Sequence, residues 1–99
     1  MKSKRSKACD ISATTKKIVW ERDGERCIIC GDRNAMPNAH FVPRSKGGLG
    51  IEKNVVTLCQ SCHRAYDQSG DRKACRDIIM RYLKEQYIDW SENELIYKK

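Results

Sequence analysis

Two Cys-x-x-Cys pairs constrain this chain more than any other feature: Cys27 with Cys30 and Cys59 with Cys62, set 28 residues apart. Four thiolates at such spacings form a closed tetrahedral site for structural zinc, with no position left for a substrate. The interval exceeds the roughly 15–20 residues of compact zinc fingers, so the metal closes a loop large enough to hold a hairpin of its own. Disulfide pairing or plain buried thiols are the other uses of four such cysteines. Cys9 and Cys75 have no partner at ligand spacing and read as free thiols. A chain of 99 residues buries only about 60–65% of its unfolded surface, so a staple of this kind is what a small core needs.

The basic N-terminus, Met1 to Ser12, leads into no apolar stretch and so does not read as an export signal. A reducing cytoplasm is the expected location, and there metal ligation is favoured over disulfides. No apolar run approaches the roughly 18 residues of a membrane span, which excludes a membrane protein. Twenty Lys and Arg against 13 Asp and Glu give a net charge of +7, and this favours a polyanionic partner. The excess leans forward: residues 1–26 carry eight basic and four acidic side chains.

Residues 1–11, with Lys2, Lys4, Arg5 and Lys7, offer little to bury and read as a basic flexible arm. Residues 12–99 read as a single domain. Ser12 caps a short helix carrying Ile18, Val19 and Trp20, which ends at Gly24. Residues 32–38 read as loop, Ala39-His40-Phe41-Val42 as a strand closed by Pro43, and Val55 to Leu58 as a second strand. The glycine-rich stretch Arg44 to Gly50 between them is loop. After Cys62 a short helix reaches Gln68, with Ser69-Gly70 as the break. Asp71 then caps a helix over about 71–87, whose Ala74, Cys75, Ile78, Ile79, Tyr82 and Leu83 form one apolar stripe. Residues 88–99 mix Trp90, Leu95, Ile96 and Tyr97 with charges, and their pattern fits a docked tail and a frayed one equally.

The only histidines, His40 and His63, fall within or beside the zinc-closed loop, with Asn54 between them. These residues, with both thiol pairs, Ala-His-Phe-Val-Pro-Arg-Ser-Lys-Gly-Gly at 39–48 and Leu-Cys-Gln-Ser-Cys-His at 58–63, resemble the zinc-containing HNH endonucleases of phages and bacteria. The resemblance implies a small α+β fold with a ββα-metal (His-Me finger) core over 27–68, tied by the four-cysteine zinc knot and flanked by N- and C-terminal helices. It implies a metal-dependent DNA endonuclease that hydrolyses phosphodiester bonds. His40 would be the general base, Asn54 would hold His40 in orientation from across the hairpin, and His63 would bind the catalytic cation, Mg²⁺, Mn²⁺ or Ni²⁺.

Many members of that family place Asp or His directly before the base, where this chain has Ala39. Asp67, one helical turn after His63, can share the cation with it; otherwise it is a solvated carboxylate or a partner for Arg64. Without a catalytic role, His40 is a polar strand residue and His63 a fifth candidate for the zinc knot. Arg44, Lys46 and Lys53 flank the loop, whose glycines permit close backbone approach, and are candidates for DNA phosphate contact; they read equally as an ordinary charged surface. The alternative to a free-standing nuclease is a catalytically inactive zinc module that binds nucleic acid or protein, or a subunit active only within a complex such as phage packaging machinery.

Overall fold

Val55-Val56-Thr57-Leu58-Cys59 is an unbroken buried run, rich in β-branched residues, and it forms strand β2 (Val55–Cys59). The computed structural model describes residues 3–68 and 70–98; of the expectations above, those on Lys2 and Ser69 lie outside the described residues. Strand β1 (Ala35–His40) runs antiparallel to β2, pairing Ala35 with Cys59, Met36 with Leu58, Ala39 with Val56 and His40 with Val55. The register slips by one between Met36 and Ala39, so Pro37 and Asn38 together oppose Thr57. Pro37 has no N–H to give the ladder, and the bulge falls where that loss is harmless.

The strand therefore starts four residues before the expected one and stops two short of it. Its start is set by pairing with β2, which overrides the poor strand propensity of Pro37 and Asn38. Its end is set by Asn54: Phe41 N–H donates to the Asn54 carbonyl at 2.7 Å, and Val42 N–H donates to Asn54 Oδ1 at 2.8 Å.

Helix α1 (Lys4–Cys9) corrects the expectation of a flexible arm. Cys9 is buried at its end, and the Ala8 carbonyl accepts from Gly50 N–H at 3.0 Å. A six-residue helix is marginal alone, so this one depends on docking against the loop between the strands. Helix α2 (Ala13–Arg22) starts as its cap predicts, with Ser12 Oγ accepting from Thr15 N–H, and Gly24 follows its end with φ of 72°. Helix α3 (Gln60–Gln68) leaves β2 without a linker, and α4 (Arg72–Gln86) packs on it.

On α4 the stripe narrows to Cys75, Ile79 and Leu83 at four-residue spacing, while Ile78 is 44% exposed. These three join Phe41, Val56, Leu58 and Tyr66 in one core. The last segment is docked. Trp90 sets its ring edge-on to Phe41 at 5.5 Å and donates Nε1–H to the Lys53 carbonyl, and Leu95, in the 3₁₀ turn Glu92–Leu95, is fully buried. Leu49 N–H donates to Leu95 O and Tyr97 N–H to Gly47 O, both at 2.8 Å, so the tail runs along the glycine-rich loop. Among the described residues, no helix is long and apolar enough to cross a membrane.

Leu95→Ala leaves a cavity where the tail meets the core, and we expect it to lower the unfolding free energy by about 2–5 kcal/mol, read from urea denaturation.

Candidate functional site

The first half of the metal site is a tight knuckle. Gly31 N–H donates to the Cys27 carbonyl, Gly31 takes φ of 81°, and Cys27 N–H donates to Asp32 O. The second half spans the end of β2 and the first turn of α3, where Cys62 N–H points at Cys59 Sγ. The four sulfurs all lie within 4.8 Å of one another, with Cys30 and Cys59 at 3.5 Å. A zinc–sulfur bond of about 2.3 Å in a tetrahedron places sulfurs about 3.8 Å apart, so the residues fit zinc.

All six cysteines are free thiols, which removes the disulfide reading, and the cluster is complete without His63. Burial and the three neighbouring sulfurs push the Cys62 thiol far up. Burial also opposes ionisation of Cys27, yet backbone N–H groups outweigh it and bring that thiol to about 7. Four thiolates this close repel one another, and a divalent cation relieves that repulsion.

His63 follows the knot directly on α3, whereas His40 stands at the far end of the hairpin, opposite Val55. His40 closes β1, and its Nε2 is 2.9 Å from the Cys9 carbonyl. Burial holds its pKa below the usual 6.5, helped by the charges of Arg44 and His63, against the opposing pull of Cys9 O and Asp10. The two histidines, 23 positions apart in sequence, line clefts that share Asn38. Asn54 is fully buried; its Oδ1 accepts from Val42 N–H, and its Nδ2 donates to Val42 O and, at 2.8 Å, to Leu49 O. It ties the loop shut directly behind His40.

His63 Nε2 lies 3.3 Å from Asp67 Oδ2, and both side chains reach solvent. Adjacent ligands of an octahedral cation with bonds of about 2.1 Å stand about 3.0 Å apart, so this pair suits one shared ion. No third His, Cys or carboxylate joins them among the described residues. Ala39 is buried in the core, turned away from this surface.

The flanking cations differ from one another. Arg44 bonds Asp10 at 2.8 Å and the Cys9 carbonyl at 2.8 Å. Lys53 is engaged by both oxygens of Asp89 at 3.0 Å. Lys46, in the 3₁₀ turn Arg44–Lys46, is exposed.

Sequence reading missed three neighbours. One cleft is lined by Asp10, Ile11, Lys16, Asn38, His40 and Arg44, and a second by His63 with Asn34, Met36 and again Asn38. Asn38 separates the two, its Oδ1 buried and without a hydrogen-bond partner. Strand alternation from His40 would have flagged it; nothing local marked Cys9 or Lys16.

A zinc knot that fixes a hairpin and helix, with imidazoles at the strand end and on the helix, defines the class. The family described as HNH endonuclease matches residues 27–79, more than half of the chain, and the protein belongs to it. The chain is also similar to Anaredoxin of Nostoc sp. (strain PCC 7120 / SAG 25.82 / UTEX 2576), 37% identical over 51 residues that cover half of this chain and 67% of that protein.

Because the knot joins three elements, we expect Cys59→Ser to abolish zinc binding and cooperative folding, whereas Cys75→Ser retains its zinc. Metal content and circular dichroism of the two purified proteins check this. A folded, zinc-free Cys59→Ser protein contradicts the structural role.

Proposed function

We propose that this protein is a metal-dependent DNA endonuclease in which His40 is the general base and His63, with Asp67, holds the catalytic cation. The observation that carries this reading is that the cleft lined by His40 and the cleft lined by His63 share one wall residue, Asn38. A bound cation would supply positive charge to the scissile phosphate and to the departing 3′ oxygen.

The chain's own residues do the rest. His40, neutral at physiological pH because burial lowers its pKa, takes a proton from water. The water oxygen forms the new bond to phosphorus, and the P–O3′ bond breaks with its electron pair leaving on the 3′ oxygen, which solvent reprotonates. Asn54 keeps the loop behind the base closed. Lys46, exposed on the loop, and Lys16, which lines the His40 cleft from α2, supply cationic contacts to backbone phosphates, which position the duplex without reading its sequence. Lys53 and Arg44 are left out of this set, because Asp89 and Asp10 occupy their charged groups.

One observation favours a second reading, an inactive zinc module that binds nucleic acid: the residue before the base is Ala39, packed in the core. Metal titration of the zinc-loaded protein separates the two. A second divalent site, strengthened by DNA and lost in His63→Ala, is the nuclease outcome; no second site with DNA present is the outcome for an inactive module.

With Mn²⁺ or Mg²⁺ the protein is expected to nick plasmid, and His40→Ala to lower the rate by about 100-fold or more. Equal nicking by both proteins removes His40 from the mechanism. Since the base must be neutral, kcat should rise with pH through a midpoint below 6.5 and then level off. Arg44→Gln removes a nearby positive charge that disfavours the imidazolium, so the midpoint should move upward.

A further inference from the structure

The segment before the family-matched span holds a contact that the reading above does not use. The Cys9 carbonyl, at the end of α1, receives both His40 Nε2 and Arg44 Nη1, at 2.9 and 2.8 Å. A carbonyl oxygen only accepts, so Nε2 carries the ring proton and Nδ1 keeps its lone pair.

The position of that carbonyl is fixed several times over. Gly50 N–H donates to Ala8 O at 3.0 Å, and Arg44 pairs with Asp10 at 2.8 Å. Arg5 reaches the carbonyls of Arg44 and Ser45 at 3.4 and 3.3 Å. Gly50 lies so close that a Cβ there would sit 2.1 Å from Asp10 O and 2.9 Å from Cys9 O. The sequence gives this backbone nothing catalytic; the packing brings it onto the ring.

We infer that residues 4–10 are a positioning element of the active site: α1, docked on the 44–50 loop, uses the Cys9 backbone carbonyl to lock His40 in the Nε2–H tautomer, so that Nδ1 receives the proton of the attacking water. The catalytic consequence rests on the nuclease reading; the state of the ring does not. A second-atom anchor of this kind fixes both which nitrogen is basic and which way it faces. Without it the ring samples rotations and tautomers in which no lone pair meets the water. Because the anchor is main chain, no substitution at Cys9 itself removes it, and the lever is the glycine that lets it approach.

Long-range ¹⁵N–¹H NMR of the imidazole nitrogens in the full-length, zinc-loaded protein reads the tautomer without any assay. Wild type is expected to show His40 as Nε2–H. Gly50→Ala displaces the Cys9–Asp10 backbone, so its His40 should become a mixture of tautomers. Its kcat should fall on the order of 10–100-fold with KM for DNA unchanged. Arg5→Ala loosens α1 without crowding the loop and should move both readouts the same way by less, which keeps the test informative if Gly50→Ala does not fold. A wild-type His40 in the Nδ1–H form overturns the inference. So do variants that keep a pure Nε2–H ring and full kcat. A wild type that cuts no DNA overturns the nuclease reading instead, while the spectrum still decides whether Cys9 holds the ring.

Discussion

The four sulfurs do more than fill a metal site, because each pair belongs to a different part of the hairpin. Cys27 and Cys30 sit in the knuckle that precedes β1, Cys59 ends β2, and Cys62 begins α3. A two-stranded sheet and a nine-residue helix have little stability of their own. Joined at one point, they form a rigid corner. That corner sets the angle at which α3 leaves the sheet, and so sets where His63 stands relative to His40. Without the clamp nothing fixes the helix that carries His63 relative to the strand that carries His40.

A second fastening works inside the domain. Asp23 accepts from Arg22 Nε at 2.7 Å, Thr57 N–H at 2.8 Å and Tyr82 OH at 2.6 Å, with its side chain fully buried. Arg22 in turn donates to the carbonyls of Glu52 and Val55. One carboxylate thus joins α2, β2 and α4. Such a buried pair is a costly device unless every valence is met, and here the fixed backbone and tyrosine donors meet them. It holds β2 against α2 at Thr57, whose carbonyl accepts from Ile28 N–H in the cysteine knuckle.

The parts of this structure that could be read from the sequence are those written in short spacings. The thiol pairs, the Ser12 cap, the β-branched run of β2 and the four-residue stripe of α4 each depend on neighbours within a turn or two. The parts that could not be read depend on contacts far apart in the chain. The stretch Ala35–Asn38, interrupted by Pro37, becomes strand because β2 offers it a partner, and the basic residues 4–9 become helix because the loop at Gly50 offers a surface. The residues of the site divide the same way. His40, Asn54 and His63 carry a pattern, whereas the Cys9 carbonyl is main chain and has no sequence signature at all. The three loop glycines were legible as freedom of approach, but the approaching group is protein: Gly48 lies under the Val42 carbonyl, Gly50 under Asp10, and Gly47 beside Ile96.

That reassignment explains why the domain extends beyond the span it shares with its family. Residues 27–79 contain the metal corner and both imidazoles, yet the loop from Pro43 to Gly50 is also held by segments that lie outside that span. It is gripped from outside, by α1 at Gly50 on one side and by the tail on the other, where Gly48 pairs with Ile96 and Leu49 bonds Leu95. Asn54 closes the loop from within by bonding Val42 and Leu49. The two ends of the chain, which carry none of the recognisable motif, therefore press on the one segment whose shape decides how His40 is presented. A zinc knot alone places the helix; a shaped loop is what turns a histidine at a strand end into a directed base.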